Sequence, residues 1–318
     1  MKRFNICSNI DNQVGLQKDY EMLKALLESW GHSVHGVHYA KRNQVEEAPG
    51  ADANLFLEVV NYDLIARGVA RKNILIPNPE WLAPWDHKNG LPDFDLVLCK
   101  TQDAVRIMNK LTDTAKVKYI GFESQDLYDE TIPRERKFLH VAGQSRYKNT
   151  MSVCYAFAKM MQDEDVKPQL TVVGAYPDEY AFAKDAPNIK TFQRVSDDEM
   201  KQLLNLHQFN LIPAGYEGWG HGLHEALGCG AVTITTNFPP MNEFDGVARD
   251  LLVPYQDTIP ELSAMRARVV AAPVRDIVKK ALKLKPEQID EISRAARAAF
   301  LAQREDFRNN LKAIVESL

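Results

Sequence analysis

The stretch Gly215-Tyr-Glu-Gly-Trp-Gly-His-Gly-Leu-His-Glu-Ala-Leu-Gly-Cys-Gly230 is the most informative part of this chain. It follows the apolar run 209–213 and precedes the apolar run 231–235. This order indicates a strand, a glycine-rich loop, the start of a helix and another strand. Backbone N–H groups at such a helix start lack partners, and the helix dipole adds partial positive charge. The stretch therefore predicts a site for a phosphorylated ligand.

Two glutamates, Glu217 and Glu225, bracket the helix start. Glu217 is expected in a loop at the carboxyl end of a strand, where open α/β sheets bind ligands. Glu225 is expected one turn into the helix, within reach of the same ligand. The glycines at 218, 220 and 222 let the backbone approach that ligand closely. Taken alone, the pattern fits an ordinary turn with two solvated acids equally well, so the flanking sequence decides.

Residues 138–243 resemble the donor-binding half of retaining GT-B glycosyltransferases of family four, whose signature is two glutamates separated by seven residues. The similarity covers about a third of the chain, and the first half resembles the family much less. Its landmarks occur in the family's order: Phe138–Asn149, Leu170–Gly174, Asn188–Phe192, Ser196–Glu199, the glutamate stretch, and Ala231–Thr236 up to Glu243.

The resemblance implies an α/β fold of the GT-B type. Two Rossmann-like domains would face each other across a cleft, and a C-terminal helix would cross back to the N-terminal domain. We expect an acceptor-side domain at 1–134, a donor domain at 135–290 and the returning helix at 291–318. A length of 318 residues suits two domains with substantial cores. Bringing donor and acceptor together in this way removes the entropy cost of a bimolecular encounter and excludes water.

Apolar runs alternate with helical patterns twice along the chain, which predicts two parallel sheets with crossover helices. In the first half we expect helices at Leu16–Trp30 and Thr101–Lys110. The polar segment Ile132–Lys137 is interpreted as a linker. The strands expected in this half are Arg3–Ser8, Ser33–Val37, Ala53–Val60, Asn73–Pro77, Leu96–Cys99 and Val117–Ile120.

In the second half Ser196 and Glu199 predict a capping box at the start of a helix. After about residue 257 the chain is expected to be mostly helical, and Pro286 is expected to open a long last helix with one buried face. The strands expected here are Phe138–Val141, Leu170–Val173, Ile189–Phe192, Asn210–Ile212 and Ala231–Thr235.

Cations in the loop after Phe138–Val141 match the chemistry of a departing nucleoside diphosphate. Negative charge grows on the leaving phosphate, so cations and N–H dipoles aimed there stabilise the transition state more than the ground state. The family binds the diphosphate with an arginine and a lysine in this loop, which implies that role for Arg146 and Lys148. The loop, which begins at Gly143, is about one residue shorter here.

The resemblance also assigns roles along the glutamate stretch. Glu217 would hydrogen-bond donor-sugar hydroxyls and Glu225 the nucleotide ribose, because a carboxylate accepts hydroxyl protons well. The backbone around Gly220, His221, Gly222 and Leu223 would face the diphosphate or the sugar. Trp219 stands where the family often has an aromatic residue, and His224 where it often has a proline. Base choice is expected to depend on the loops Phe192–Val195 and Gly174–Tyr176.

No metal or other cofactor is expected. His221 and His224 lack a further carboxylate–histidine constellation, which makes structural zinc a poor interpretation. Metal independence is also what the resemblance implies.

Candidates in the first half carry weaker signals. Gly15, in the segment 11–16, resembles the family's glycine loop beneath the donor diphosphate, although a plain helix entry explains it equally well. Asn78 and Glu80 follow an expected strand and are candidates for acceptor contact, against the alternative of a solvated, proline-rich connection.

Net charge and cysteine content restrict the expected binding partners and the expected cellular compartment. A net charge of -4 gives no general attraction for nucleic acid. Four scattered cysteines without CxxC pairs indicate a reducing compartment, so the expected location is cytoplasmic. No apolar stretch reaches membrane-spanning length. Near Lys41 and Arg42, the acids Glu46 and Glu47 leave at most weak membrane contact.

The sequence thus predicts a retaining, metal-independent glycosyltransferase. It would move a sugar from a UDP-, GDP- or ADP-linked donor to an acceptor hydroxyl. Two alternatives stay open: a phage-type enzyme that glycosylates a modified DNA base, and a module that binds nucleotide sugar without transferring it.

Overall fold

The computed structural model describes residues 1–10, 15–39, 47–58, 60–87, 90–163, 167–174 and 176–318. The chain divides into two compact units, each built around its own parallel sheet. The first unit consists of Met1–Phe122, Pro260–Met265 and Asp306–Leu318. The second consists of Glu123–Ile259 and Arg266–Glu305.

The six strands expected in the first half are confirmed. They are β1 (Arg3–Ser8), β2 (Ser33–His38), β3 (Ala51–Glu58), β4 (Ala70–Pro77), β5 (Leu96–Cys99) and β6 (Lys116–Tyr119). Each pairs in parallel with its neighbours, in the order β2-β1-β3-β4-β5-β6. Because β2 lies on one side of β1 and β3 on the other, the direction of winding reverses between β1 and β3.

Helices of the first unit connect these strands. The two expected helices are confirmed as α1 (Gly15–Ser29) and α4 (Gln102–Leu111), and the short α2 (Tyr62–Ala66) and α3 (Pro84–His87) were not expected. Helix α4 starts where the Thr101 side chain accepts a hydrogen bond from the Ala104 N–H. Apolar residues of the sheet and helices form a core that includes Phe56, Leu75, Val97 and Met108.

The second unit contains the five expected strands. They are β7 (Glu135–Gly143), β8 (Leu170–Gly174), β9 (Ile189–Phe192), β10 (His207–Ile212) and β11 (Val232–Thr235). All neighbours are parallel, in the order β11-β10-β7-β8-β9. Helices α5 (Thr150–Asp163), α6 (Asp197–Leu206) and α7 (His221–Gly228) follow β7, β9 and β10. Short 3-10 turns occupy Arg146–Lys148, Pro177–Asp185, Met241–Glu243 and Arg249–Leu251.

Aromatic packing anchors the second sheet. The Phe138 ring stacks on Phe209 of the adjacent strand, with centroids 4.6 Å apart, and meets the Phe157 ring edge-on at 5.3 Å. The expected capping box at Ser196 and Glu199 is confirmed, with both reciprocal hydrogen bonds present. All four cysteines are buried and free.

One expectation about the second half was wrong. The linker expected at Ile132–Lys137 overlaps β7, which begins at Glu135 because the backbone there pairs with His207 of β10. The segment after residue 257 is mostly helical, as expected, but two unexpected strands, β12 (Asp257–Glu261) and β13 (Ala264–Arg268), come before helix α8 (Ala271–Leu282). Leu262, between these strands, has a φ of +51°, so the chain reverses there instead of continuing into a helix.

The last helix, α9 (Pro286–Ser317), begins at the expected proline and contributes residues to both units. From Asp306 onward it belongs to the first unit, where the Phe307 ring lies 4.8 Å from that of Phe122. Its apolar face there also buries Leu311 and Val315. Among the residues that the structure describes, no helix combines the length and apolar character needed to cross a membrane.

Candidate active site

Strands β7 and β10 mark the switch point of the second sheet. From β7 the chain winds outward through β8 and β9, and then returns to place β10 and β11 on the other side of β7. Loops that leave the carboxyl ends of two such strands diverge and open a crevice, which is where open α/β sheets bind ligands. The two loops here are 144–149 after β7 and 213–220 after β10.

Two hydrogen bonds tie these two loops together. The Gly215 N–H donates to the Tyr147 carbonyl at 2.7 Å. The Asn149 side-chain amide donates to the Pro213 carbonyl, also at 2.7 Å. Asn149 itself has a left-handed conformation, with φ of +53°, which asparagine tolerates better than most residues. The loops therefore hold their side chains in a fixed relation to each other.

Lys148 and Glu217 form an ion pair across the switch point. The Lys148 Nζ donates a hydrogen bond to Glu217 Oε1. The two side chains are only 13% and 10% exposed, so each charge has lost much of its hydration and depends on the other. The loops thus bring together two of the three residues to which the sequence assigned a catalytic role.

Arg146, the third of these residues, lies in the 3-10 turn after β7. Its guanidinium carbon is 4.4 Å from the centroid of the Tyr176 ring, in the segment that follows β8. A cation over an aromatic face is attracted by the ring quadrupole, which restrains the arginine at this edge of the sheet. The sequence indicated Tyr176 only as part of a base-selecting loop, because the partner of Arg146 depends on strand order.

Helix α7 starts directly after the Glu217 loop. Its N-cap residue is Gly220, whose φ of +82° is costly for any residue with a Cβ. A Cβ at Gly220 would also lie 3.3 Å from Cγ of Glu217, whereas at Gly222 it would meet no atom closer than 3.8 Å. Gly220 therefore allows the Glu217 side chain to pack against the helix start, and Gly222 is not needed for this contact.

A hydrogen-bonded chain positions the first side chain of α7. Trp219 Nε1–H donates to Ser124 Oγ at 3.0 Å, and Ser124 Oγ lies 2.8 Å from His221 Nδ1. Since the indole nitrogen can only donate, the hydroxyl proton of Ser124 is available to His221 Nδ1. The role of Ser124 was missed, because it is 97 residues away from His221 along the chain.

His224, in the first turn of α7, is a buried core residue. Its ring stacks on that of Trp219 at 3.8 Å and meets Phe244 edge-on at 4.6 Å. Burial lowers the pKa of His224 to about 3, so the imidazole is neutral near pH 7. It therefore acts as an aromatic spacer where the resembling family often has a proline.

The remaining donor-side candidates in the second unit lie on the same elements. Gly143 ends β7, and Leu223 and Glu225 are in α7 with 0% and 4% of their surfaces exposed. Leu223 packs into the core, which leaves its backbone as the part available to a ligand.

Three candidates belong to the first unit. Gly15 is the first residue of α1, and Asn78 and the buried Glu80 follow β4. The rest of the expected glycine loop, 11–14, lies outside the described residues, as do Lys41, Arg42, Glu46 and Ala175.

Taken together, the site in the second unit offers cations, amide hydrogens at a helix start and carboxylates. Cations and N–H donors suit phosphate oxygens, and carboxylates suit sugar hydroxyls. This donor and acceptor set matches a phosphorylated sugar derivative.

Comparison with known proteins agrees with this chemistry. Residues 135–279 match the family model described as Glycosyl transferases group 1. No curated protein sequence matches the chain.

Solved structures match over the whole length. Sucrose-phosphate synthase from Thermosynechococcus elongatus has a TM-score of 0.76 at 12% identity, with 100% of this chain and 99% of that one covered. HepE of Anabaena, solved with UDP and glucose, has a TM-score of 0.71 at 12% identity, with 100% of both chains covered. WaaG, a glycosyltransferase involved in lipopolysaccharide biosynthesis, has a TM-score of 0.64 at 14% identity, with 98% of both chains covered. The chain has the GT-B fold, and the family match supports a glycosyltransferase.

Proposed function

We propose that this protein is a retaining glycosyltransferase that transfers a sugar from a nucleoside diphosphate to an acceptor hydroxyl without a metal ion. The observation that carries the proposal is the Lys148–Glu217 pair at the switch point of the second sheet, directly before the start of α7. Support also comes from the family match over residues 135–279 and from the relative that was solved with UDP and glucose.

Lys148, Arg146 and the N–H groups at the start of α7 form the phosphate end of the proposed donor site. In the free protein the Lys148 ammonium is neutralised by Glu217. A bound diphosphate would compete for that ammonium and release the carboxylate to accept hydrogen bonds from sugar hydroxyls. Gly143 and the backbone of Gly220–Leu223 are assigned to the same donor, and Glu225 is assigned to the ribose. Gly15 of the first unit is kept as a donor-side candidate.

The proposed reaction follows the stereochemistry of the resembling family. The acceptor oxygen forms a bond to the anomeric carbon on the face from which the leaving group departs. The bond from that carbon to the phosphate oxygen breaks, and the acceptor proton passes to the leaving oxygen. Lys148, Arg146 and the amide dipoles stabilise the charge that grows on the diphosphate.

A cytoplasmic location remains part of the proposal. Its support is that the four cysteines are buried, free thiols, which is usual for proteins of reducing compartments. Asn78 and Glu80 remain the proposed acceptor-side candidates from sequence.

Nucleotide release tests the proposal directly. The protein is incubated with UDP-, GDP- and ADP-glucose, with and without EDTA, and free nucleotide is measured alongside thermal shifts. We expect release from one of these donors, unaffected by EDTA, and a loss of at least 100-fold in Glu217→Gln with nucleotide binding retained. Glu291→Gln, an exposed change on α9, is the matched control. Binding without release would favour a non-catalytic module, and release dependent on duplex DNA would favour glycosylation of a DNA base.

A further inference from the structure

A chain of polar side chains lies at the carboxyl ends of β3, β4 and β5 in the first unit. Glu58 is the last residue of β3, Asn78 follows β4, and Lys100 follows β5. Lys100 is 1% exposed and forms an ion pair with Asp19 of α1, which is 3% exposed. The chain continues from Lys100 Nζ to Asn78 Oδ1 at 3.1 Å, and from Asn78 Nδ2 to Glu58 Oε2 at 3.0 Å.

The buried Lys100 fixes the direction of the hydrogen bonds between these polar side chains. An ammonium can only donate hydrogen bonds, so it fixes the Asn78 carbonyl oxygen toward Lys100. The Asn78 NH₂ group is thereby directed at the Glu58 carboxylate. Lys100 also lies 4.8 Å from the centroid of the Phe122 ring, which closes the inner end of the chain with an apolar face. The outer end is Glu58, which is partly exposed.

Glu58 has a strained backbone at the place where a ligand is expected. Its φ is +71°, which is uncommon for a residue other than glycine, asparagine or aspartate. Strain of this kind concentrates at functional sites. Glu58 ends β3, one of the two strands at the switch point of the first sheet, and ligands bind at the carboxyl side of that point. Burial raises the pKa of Glu58 above its ordinary value, which strengthens its carboxylate as a hydrogen-bond acceptor.

Three exposed aromatic residues lie on the segments that follow β3 and β4. Tyr62 begins α2 after β3, while Trp81 and Trp85 follow β4, and their surfaces are 37%, 49% and 62% exposed. The backbone N–H of Trp81 donates to the backbone carbonyl of Asn78 at 2.9 Å. The Tyr62 hydroxyl donates to the Asp86 carbonyl at 2.6 Å, which ties the two segments together.

We propose that Glu58 and Asn78, with the rings of Tyr62, Trp81 and Trp85, form a saccharide-binding site in the first unit, and that its ligand is the acceptor of the transfer reaction. A sugar ring combines an apolar C–H face, which packs on aromatic surface, with hydroxyls that donate to carboxylates. In the first unit, aromatic rings and a carboxylate both lie at the carboxyl ends of β3 and β4. The identification of the ligand as acceptor rests on the proposed function, whereas saccharide binding does not.

Binding is tested with the full chain by saturation-transfer-difference NMR in the presence of UDP. The probes are glucose, galactose, mannose, N-acetylglucosamine and glucose 6-phosphate. We expect at least one saccharide to bind, with affinity reduced at least tenfold in Glu58→Gln and in Trp85→Ala. Glu21→Gln, an exposed change on α1, should bind as the wild type does. Thermal shifts with UDP should be the same in all four proteins, because nucleotide binding is assigned to the second unit.

Three results would overturn the saccharide site. The first is that none of the five saccharides binds, and the second is that Glu58→Gln binds them as the wild type does. The third is Trp85-dependent binding to vesicles of phosphatidylcholine and phosphatidylglycerol without saccharide binding, which would make the aromatic surface a lipid contact. A wild-type protein that binds saccharide but no nucleotide would instead refute the proposed function and leave the saccharide site standing.

Discussion

At the scale of single residues, Lys148 and Glu217 depend on each other. Each side chain is about nine-tenths shielded from solvent, and the ammonium and carboxylate are in direct contact. Removal of one partner leaves a charge that is poorly hydrated and has lost its partner, whereas removal of both leaves neutral groups.

We expect a non-additive result from this pair. Lys148→Met should lower the free energy of unfolding of the second unit by about 1–3 kcal/mol. The double variant Lys148→Met/Glu217→Gln should be less destabilised than the sum of the two single variants, by about 1–2 kcal/mol. Urea unfolding of the four proteins measures this coupling. Additive single effects would mean that the ion pair contributes nothing to the folded state.

At the scale of an element, the start of α7 shows why two neighbouring glycines are not equivalent. Gly220 has a positive φ and lies against the Glu217 side chain, whereas Gly222 is inside the first turn with ordinary space around it. The same substitution at the two positions therefore separates backbone strain from simple loss of a glycine.

Gly220→Ala and Gly222→Ala should consequently have different effects on the free energy of unfolding. The first should destabilise the second unit by about 1–2 kcal/mol, because it combines a strained φ with a crowded Cβ. The second should be neutral or stabilising by up to about 1 kcal/mol, since alanine is the better helix former. Thermal unfolding of both variants beside the wild type measures the difference. Equal effects would contradict the backbone geometry at Gly220.

The same helix contains a titratable group that should make stability depend on pH. The pKa of buried His224 is about 3 in the folded state, below the ordinary value of 6.5. As pH falls below about 6.5, the unfolded state binds a proton that the folded state refuses, so stability falls by up to about 1.4 kcal/mol per pH unit until the pH nears 3. Buried His140, with a pKa of about 4, adds to the same trend.

The slope of the unfolding free energy against pH measures the number of protons taken up on unfolding. Between pH 6 and pH 4, His224→Gln should reduce that number by close to one. Urea unfolding at half-unit intervals of pH gives the slope for the wild type and the variant. Equal slopes would show that His224 is protonated to the same extent in the folded and unfolded states.

At the scale of the whole molecule, α9 is one continuous helix that supplies core residues to both units. Up to Glu305 it belongs to the second unit, where Phe300 is 2% exposed, and from Asp306 it belongs to the first. Phe307 is 1% exposed and packs against Phe122. The sheet of the first unit is formed by residues before 120, yet its core includes side chains from the last 13 residues of the chain.

Phe307→Ala should therefore destabilise the first unit, by about 3–5 kcal/mol, through loss of a large buried ring. Hydrogen exchange followed by mass spectrometry should show that the variant accelerates exchange, relative to the wild type, more in β1 and β3 than in β7 and β10. Leu301→Ala, at a position 45% exposed on the same helix, is the control and should change neither unit by more than about 0.5 kcal/mol. Equal acceleration in both units would contradict the division of the helix at residue 305.

The amino-acid sequence by itself determined the alternation of strands and helices, because buried parallel strands are short apolar runs and surface helices repeat at 3.6 residues. It also determined the second sheet's glycine-rich helix start, its candidate cations and its capping box, since all of these depend on neighbours within a few positions. The start of β7 near residue 135 and the two strands after 257 were not predicted, because these segments carry polar residues and lack the apolar signal of a buried strand.

Only the tertiary structure decided which distant side chains meet. Packing of the segment before β7 against the start of α7 joined Ser124 to His221, and strand order brought Lys148 to Glu217 and Arg146 to Tyr176. In the first unit it linked Glu58, Asn78, Lys100 and Asp19, of which the sequence singled out only Asn78. The physical reason is that parallel strands adjacent in a sheet need not be adjacent in sequence. Residues at their carboxyl ends share one edge without any local pattern that records it.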